Sequence, residues 1–150
     1  MELNQEKERF GNNQFLLALA SLKEAVDNFG KVDEIAQQVD VIQPESLYRT
    51  LRDSMIQRFE FTTDLFWKYL KRYLEDAMKI DLEFNAPKPV AREACRAKVV
   101  SESDTQKILQ MITDRNMSSH IYKEEIADII SSRIPEYYGL MFQYAQKLVP

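Results

Sequence analysis

Residues 51–77 read LRDSMIQRFEFTTDLFWKYLKRYLEDA. Leu51, Met55, Phe59, Phe66, Leu70, Tyr73 and Ala77 recur at spacings of three, four and seven. That places them on one stripe of an α-helix. Phe61, Leu65, Trp67, Tyr69 and Leu74 widen the stripe, so this helix is expected to be buried on more than one side. Trp67, the only Trp, is expected to pack in the core and not to stack on a base. The helix is expected to begin near Pro44-Glu45-Ser46 and to reach Ala77 or Met78.

The flanking sequence has the same character. Phe15, Leu19, Leu22, Val26 and Phe29 step by 4, 3, 4 and 3, one buried seam of a first helix from about Glu6 to Asn28, with Gly30 a natural stop. Lys31 to Gln43 reads ambiguously, with room for a short helical turn. Asn85-Ala86-Pro87-Lys88-Pro89 breaks the chain, and Pro89 is expected to open a third helix at its first position. Ser103 and Asp104 mark the start of a fourth helix, through about Asp114, buried by Ile108, Leu109 and Ile112. A last helix starts near Tyr122 to Glu124, with Ile126, Ile130, Ile134, Tyr137, Met141, Tyr144 and Leu148 as its stripe. Pro135 lies inside it and is expected to kink it, leaving the Ser131 carbonyl without its usual partner. No strand pattern and no repeat is present. The expected fold is all-α: one domain over residues 1–150, an antiparallel up-and-down bundle of four or five helices with short connections.

Composition narrows the function classes. Apolar residues make up 45% and charged residues 29% of 150, ordinary for a globular chain. One cysteine, Cys95, excludes an internal disulfide and suits a reducing, cytoplasmic setting. No apolar run approaches the roughly 20 residues that span a membrane, and MELNQEKERF lacks an apolar signal core. The net charge of −4 means that any RNA contact must come from a local basic patch. Lys88, Arg92 and Arg96, at i, i+4 and i+8, form such an edge; it reads either as solvated surface or as a contact for RNA or an acidic partner. There is no Cys/His cluster for zinc and no Gly-rich phosphate loop, so no cofactor is expected.

The chemistry concentrates in Arg115-Asn116-Met117-Ser118-Ser119-His120-Ile121-Tyr122, which holds the only His. An imidazole can move a proton near neutral pH. A guanidinium can hold a phosphoryl oxygen. In an unbroken helix, residues five apart diverge by about 140°. Arg115 and His120 can therefore meet only if the helix ends between them. Asn116, Ser118 and Ser119 favour such an end, which places Arg115 at the close of one helix and His120 and Tyr122 at the start of the next. The same residues also suit a capping His and a dipole-matched Arg.

Two segments resemble the HEPN family, within it the nucleotidyltransferase substrate-binding proteins. One runs from Ile56-Gln57-Arg58-Phe59-Glu60-Phe61-Thr62 through Leu65-Phe66-Trp67-Lys68-Tyr69-Leu70-Lys71. The other is Asp114 to Tyr122 followed by Glu124-Glu125, which fits that family's pattern of Arg, four residues, His, any residue, Tyr. One departure stands out: Arg96-Ala97-Lys98 occurs where the family has a Gly near the end of the third helix. The resemblance implies a helical homodimer whose Arg–His motifs face a shared cleft. It also implies a small nucleotidyltransferase partner and a toxin–antitoxin pair. The HEPN subunit would be the toxin, a metal-independent endoribonuclease, and AMP addition at the motif Tyr would neutralise it.

On that chemistry Arg115 stabilises charge on the phosphorane and His120 transfers the proton. Asn116 orients His120 if the segment stays helical, and Tyr122 accepts AMP. The alternative is a non-catalytic subunit of a nucleotidyltransferase complex in which Arg115 and His120 bind nucleotide phosphate. The residues alone leave open whether the chain is an enzyme.

Overall fold

The long apolar seams fold as helices that cover one another. The computed structural model describes residues 2–149 and, within them, the side chains of residue 2 and residues 11–149. In order come α1 (Glu2–Gly30), α2 (Val32–Gln38), α3 (Pro44–Asp76), α4 (Pro87–Arg96), α5 (Glu102–Met117), a 3-10 turn (Ser118–His120) and α6 (Glu124–Lys147). The fold is all-helical, with no strand among the described residues. The helix number is six, against an expected four or five, because Val32–Gln38 closes into a helix of its own.

Side-chain partners give the directions. Arg72 Nε donates to Asn12 Oδ1, Thr62 Oγ1 to the Ala18 carbonyl and Arg58 Nη1 to the Ser21 carbonyl. Numbers rise on α1 as they fall on α3, so the two are antiparallel. Tyr48 meets Asp128, Phe59 stacks on Tyr137, and the Tyr69 hydroxyl donates to the Leu148 carbonyl, so α3 and α6 run parallel. Asp104 meets Tyr144 while Asp114 meets Arg133, so α5 opposes α6. The four long helices thus alternate down, up, down, up, and α2 and α4 are short insertions.

The seams do the packing. Phe15, Leu19, Leu22, Met55, Phe59, Phe66, Leu70, Ile108, Ile130, Ile134 and Met141 share one buried cluster, with Trp67 packed at its edge. A buried side chain of this size is worth roughly 1.5–3 kcal/mol. Phe61 departs from expectation: it is 41% exposed and points away from the core.

Several boundaries differ for local reasons. Gly30 ends α1 without adopting a left-handed conformation. α4 opens at Pro87, two residues before Pro89. Its first i→i−4 bond runs from Val90 N–H to the Ala86 carbonyl, so neither proline removes a donor the helix uses. α5 begins earlier than Ser103, because Ser101 is the N-cap and its Oγ accepts from Asp104 N–H at 3.1 Å. It also ends later, at Met117. α6 continues through Pro135, and the buried Ser131 donates its hydroxyl to the Asp128 carbonyl.

Candidate functional site

The α-helix ends between Arg115 and His120. Arg115 lies in the last turn of α5, and Ser118 Oγ donates to the Arg115 carbonyl at 2.6 Å, closing that turn. His120 ends the 3-10 turn, and Tyr122 lies in the turn that follows. Neither opens α6, which starts at Glu124. The polar run therefore breaks the helix as its composition implies, but the chain continues through tight turns before the next helix begins.

The break does not join the two groups directly. Arg115 turns toward α3. Its Nε and Nη2 donate to the two oxygens of Asp64 at 3.0 Å each, and Nη1 donates to Glu60 Oε2 at 2.8 Å. The Asp64 hydrogen bonds, working against partial burial, raise the guanidinium's pKa further, so it stays charged. His120 turns toward Tyr122 instead. Its Nδ1 lies 3.3 Å from the phenol oxygen, with the rings edge-on. Tyr122 is 73% exposed, open to a large partner. No hydrogen bond links Arg115 to His120 among the described residues.

No hydrogen bond links the Asn116 side chain to His120 among the described residues. The α-helix ends one residue after it, so a spacing of four no longer keeps the two on one face. Its side chain is exposed, and its carbonyl accepts from Ser119 Oγ at 3.3 Å. Lys88, Arg92 and Arg96 lie on α4, with Arg92 and Arg96 exposed. Arg92 lines a groove with Cys95 of α4 and Ser103, Gln106 and Leu109 of α5, toward the end of α5 opposite Arg115.

Two further networks hold the segment. Asp114, next to Arg115 but buried, accepts from Tyr137 Oη at 2.6 Å and from Arg133 Nη1 at 3.0 Å. Burial, then the Asp114 carboxylate, push the Tyr137 phenol well above its usual range. Adjacent residues thus pin the last turn of α5 to α6 on one side and to α3 on the other. Arg52 fixes the far side of the turn. It is 1% exposed and donates to Asp53 at 2.9 Å, Glu124 at 2.6 Å and Asp128 at 3.2 Å. Burial works to lower its pKa, and the hydrogen bonds to Glu124 and Asp53 outweigh it. Tyr48 joins through Asp128 at 3.1 Å. The first turn of α6, two residues beyond Tyr122, is therefore anchored on α3.

Glu60, Asp64 and Arg52 were not singled out from the sequence. One signal was available: Glu60 and Asp64 are four apart on a helix, hence on one face. Among the described residues, no group of three or more His, Cys, Asp or Glu could hold a metal ion. No helix among them is long and apolar enough to cross a membrane.

Residues 12–149 match the family described as nucleotidyltransferase substrate binding protein like. The chain belongs to that family. A relative from Haemophilus influenzae, named "Probable ribonuclease HepT", is 33% identical over 98 residues, 64% of this chain and 66% of that protein. Solved structures share the fold. A protein from Thermus thermophilus superposes with a TM-score of 0.71 at 32% identity, covering 91% of this chain and 99% of its own. A second, from Haemophilus influenzae, was described as revealing the fold of a substrate binding domain of a nucleotidyltransferase. It gives 0.77 at 27% identity, covering 91% and 98%.

Proposed function

We propose that this chain is the HEPN-type partner subunit of a minimal nucleotidyltransferase. In that pair it is the toxin, a cytoplasmic endoribonuclease acting without metal and silenced by AMP addition at Tyr122. The observation that carries the reading is the pairing of His120 Nδ1 with the exposed Tyr122 hydroxyl at 3.3 Å, on the turn directly after Arg115. The family and the relative named as a ribonuclease support it.

The chemistry is transesterification. A ribose 2′-oxygen attacks the adjacent phosphorus, the bond to the 5′-oxygen breaks, and one proton leaves the nucleophile while another reaches the leaving group. His120 transfers a proton, and Arg115 stabilises the charge that builds on the phosphoryl oxygens. In neutralisation, Tyr122 Oη attacks the α-phosphorus of ATP and pyrophosphate departs. The bulky phosphodiester then stands against His120.

A homodimer completes the reading. Leu17, 71% exposed, and Phe61 line a shallow apolar groove on α1 and α3 together with Leu65 and Asp64. Exposed apolar area beside the acid that holds Arg115 suits pairing there, with the two motifs facing one cleft. The α4 edge of Lys88, Arg92 and Arg96 is a secondary RNA contact in this scheme.

The test is cleavage of cellular RNA in EDTA by wild type, Arg115→Ala and His120→Ala, all unmodified at Tyr122. Losses on the order of 10²–10³ for Arg115→Ala and about 10²–10⁴ for His120→Ala are expected. Incubation with the partner enzyme and ATP should add AMP masses to wild type and none to Tyr122→Phe, by mass spectrometry. The second reading, a subunit that binds nucleotide without cleaving RNA, draws on the description of the Haemophilus influenzae structure. It takes over if all three proteins are inactive while nucleotide binding depends on Arg115.

A further inference from the structure

Arg115 is gripped on two edges at once. Asp64 takes the Nε–Nη2 edge with both oxygens, and Glu60 takes Nη1. Glu60 and Asp64 are one helical turn apart on α3, so they converge on the same guanidinium from one face. Ser118 Oγ lies 3.4 Å from Nη1. Rotation about the terminal bonds of Arg115 would break the paired Asp64 bonds together, which is the geometric value of a bidentate fork. One proton on Nη2 meets no acceptor among the described residues, and the side chain keeps 28% of its surface exposed. A plain tie between α3 and α5 would need one acid. Two acids leave the group one negative charge in excess, an arrangement that gains orientation at the expense of electrostatics.

We propose that Asp64, supported by Glu60, is a positioning residue that fixes the guanidinium plane of Arg115 and aims its remaining proton at the phosphoryl oxygen. The proposal rests on the cleavage reading above, yet its geometric half can be tested apart from it. A fixed plane serves catalysis because the donor needs no reorganisation when charge develops. Asp64→Asn is isosteric, at a side chain 43% exposed, so the fold should survive. It keeps one acceptor and loses the fork.

Two readouts on the full-length chain separate the possibilities. Nitrogen-15 NMR follows the Nε–H of Arg115. It should exchange slowly with solvent in wild type and at least about ten times faster in Asp64→Asn, with a smaller change in Glu60→Gln. Steady-state RNA cleavage should show kcat lowered on the order of 10²-fold in Asp64→Asn, the scale of a misplaced group, with KM nearly unchanged. Asp64→Glu, which restores a carboxylate, should recover part of kcat. Equal exchange in wild type and Asp64→Asn overturns the proposal, as does undiminished kcat in an active protein. If wild type cleaves no RNA but the Arg115 signal is still lost in Asp64→Asn, the grip on Arg115 stands and the ribonuclease reading falls.

Discussion

Replacing Arg52 by Ala should loosen the start of α6. The guanidinium is buried, while its three partners, Asp53, Glu124 and Asp128, have side chains 47%, 54% and 53% exposed. Breaking a buried pair costs about 3–5 kcal/mol when a charge is stranded out of water. Here the stranded carboxylates return to solvent, so the loss falls below that range. What remains is the charge-assisted bonding and the packed stem of the side chain, about 2–3 kcal/mol together. The unfolding entropy is about 2.1 cal/mol/K per residue. For 150 residues that is about 0.3 kcal/mol/K, so the melting temperature should drop by about 6–10 °C. The assay is a dichroism melt at neutral pH, with hydrogen exchange followed over residues 121–128. Exchange there should accelerate more than in the α1–α3 seam, because α6 loses its anchor two residues after Tyr122. A melting shift under about 2 °C would falsify the view that Arg52 ties α6 to α3.

Three other outcomes are expected. Lys98 takes φ 60° just past the end of α4; the left-handed conformation costs an L-residue about 1–2 kcal/mol, and Gly gives back about 0.4–1 kcal/mol in unfolded-chain entropy. Lys98→Gly should therefore stabilise by about 0.5–1 kcal/mol in urea titration, and a loss of stability would count against a strained cap. Burial, then the Asp104 hydrogen bond, push the Tyr144 phenol up to about 12 from 10.0. The folded state thus holds that proton longer than the unfolded chain; its contribution is full below about pH 10 and drains as pH rises through the folded value, so Tyr144→Phe should flatten the alkaline fall in melting temperature. RNA affinity should show a shallow salt slope, since Arg115 is matched by two acids, and the Lys88/Arg92/Arg96 triple Ala variant should lower it by at most about 2, at roughly 0.7 per phosphate contact on a single strand. An unchanged slope in that variant would remove the α4 edge from the RNA path.

Much of the fold was legible because helix formation here is a local pattern. The 4–3 stepping of Phe15, Leu19 and Leu22 and the spacings of four and seven from Met55 to Leu70 record which face is covered, and those residues are buried. Phe61 misled because an apolar residue marks a face to be covered without saying by what. The ends of α4 and α5 were less legible. Pro87 and Pro89 both fit a first turn, and only the Val90-to-Ala86 bond shows where that turn starts. Ser101 and Ser103 are both plausible caps by type, and the Asp104 N–H chooses the first.

The site divides along the same line. The helix break between Arg115 and His120 could be read from three neighbouring residues, Asn116, Ser118 and Ser119, because competition between polar side chains and the backbone is local. The surroundings of Arg115 could not. Its acids lie 51 and 55 positions upstream, and Arg52 reaches 72 positions to Glu124. Which carboxylate meets which guanidinium depends on the rotation of α3 about its own axis, set by Phe59 and Phe66 entering the core. A shift of one residue in that seam would turn Glu60 and Asp64 about 100° away and leave Arg115 ungripped. The apolar packing of α3 is thereby coupled to the orientation of a charged group near the surface. A core substitution such as Phe59→Leu would then disturb Arg115 without touching it, through the two acids that share its helix.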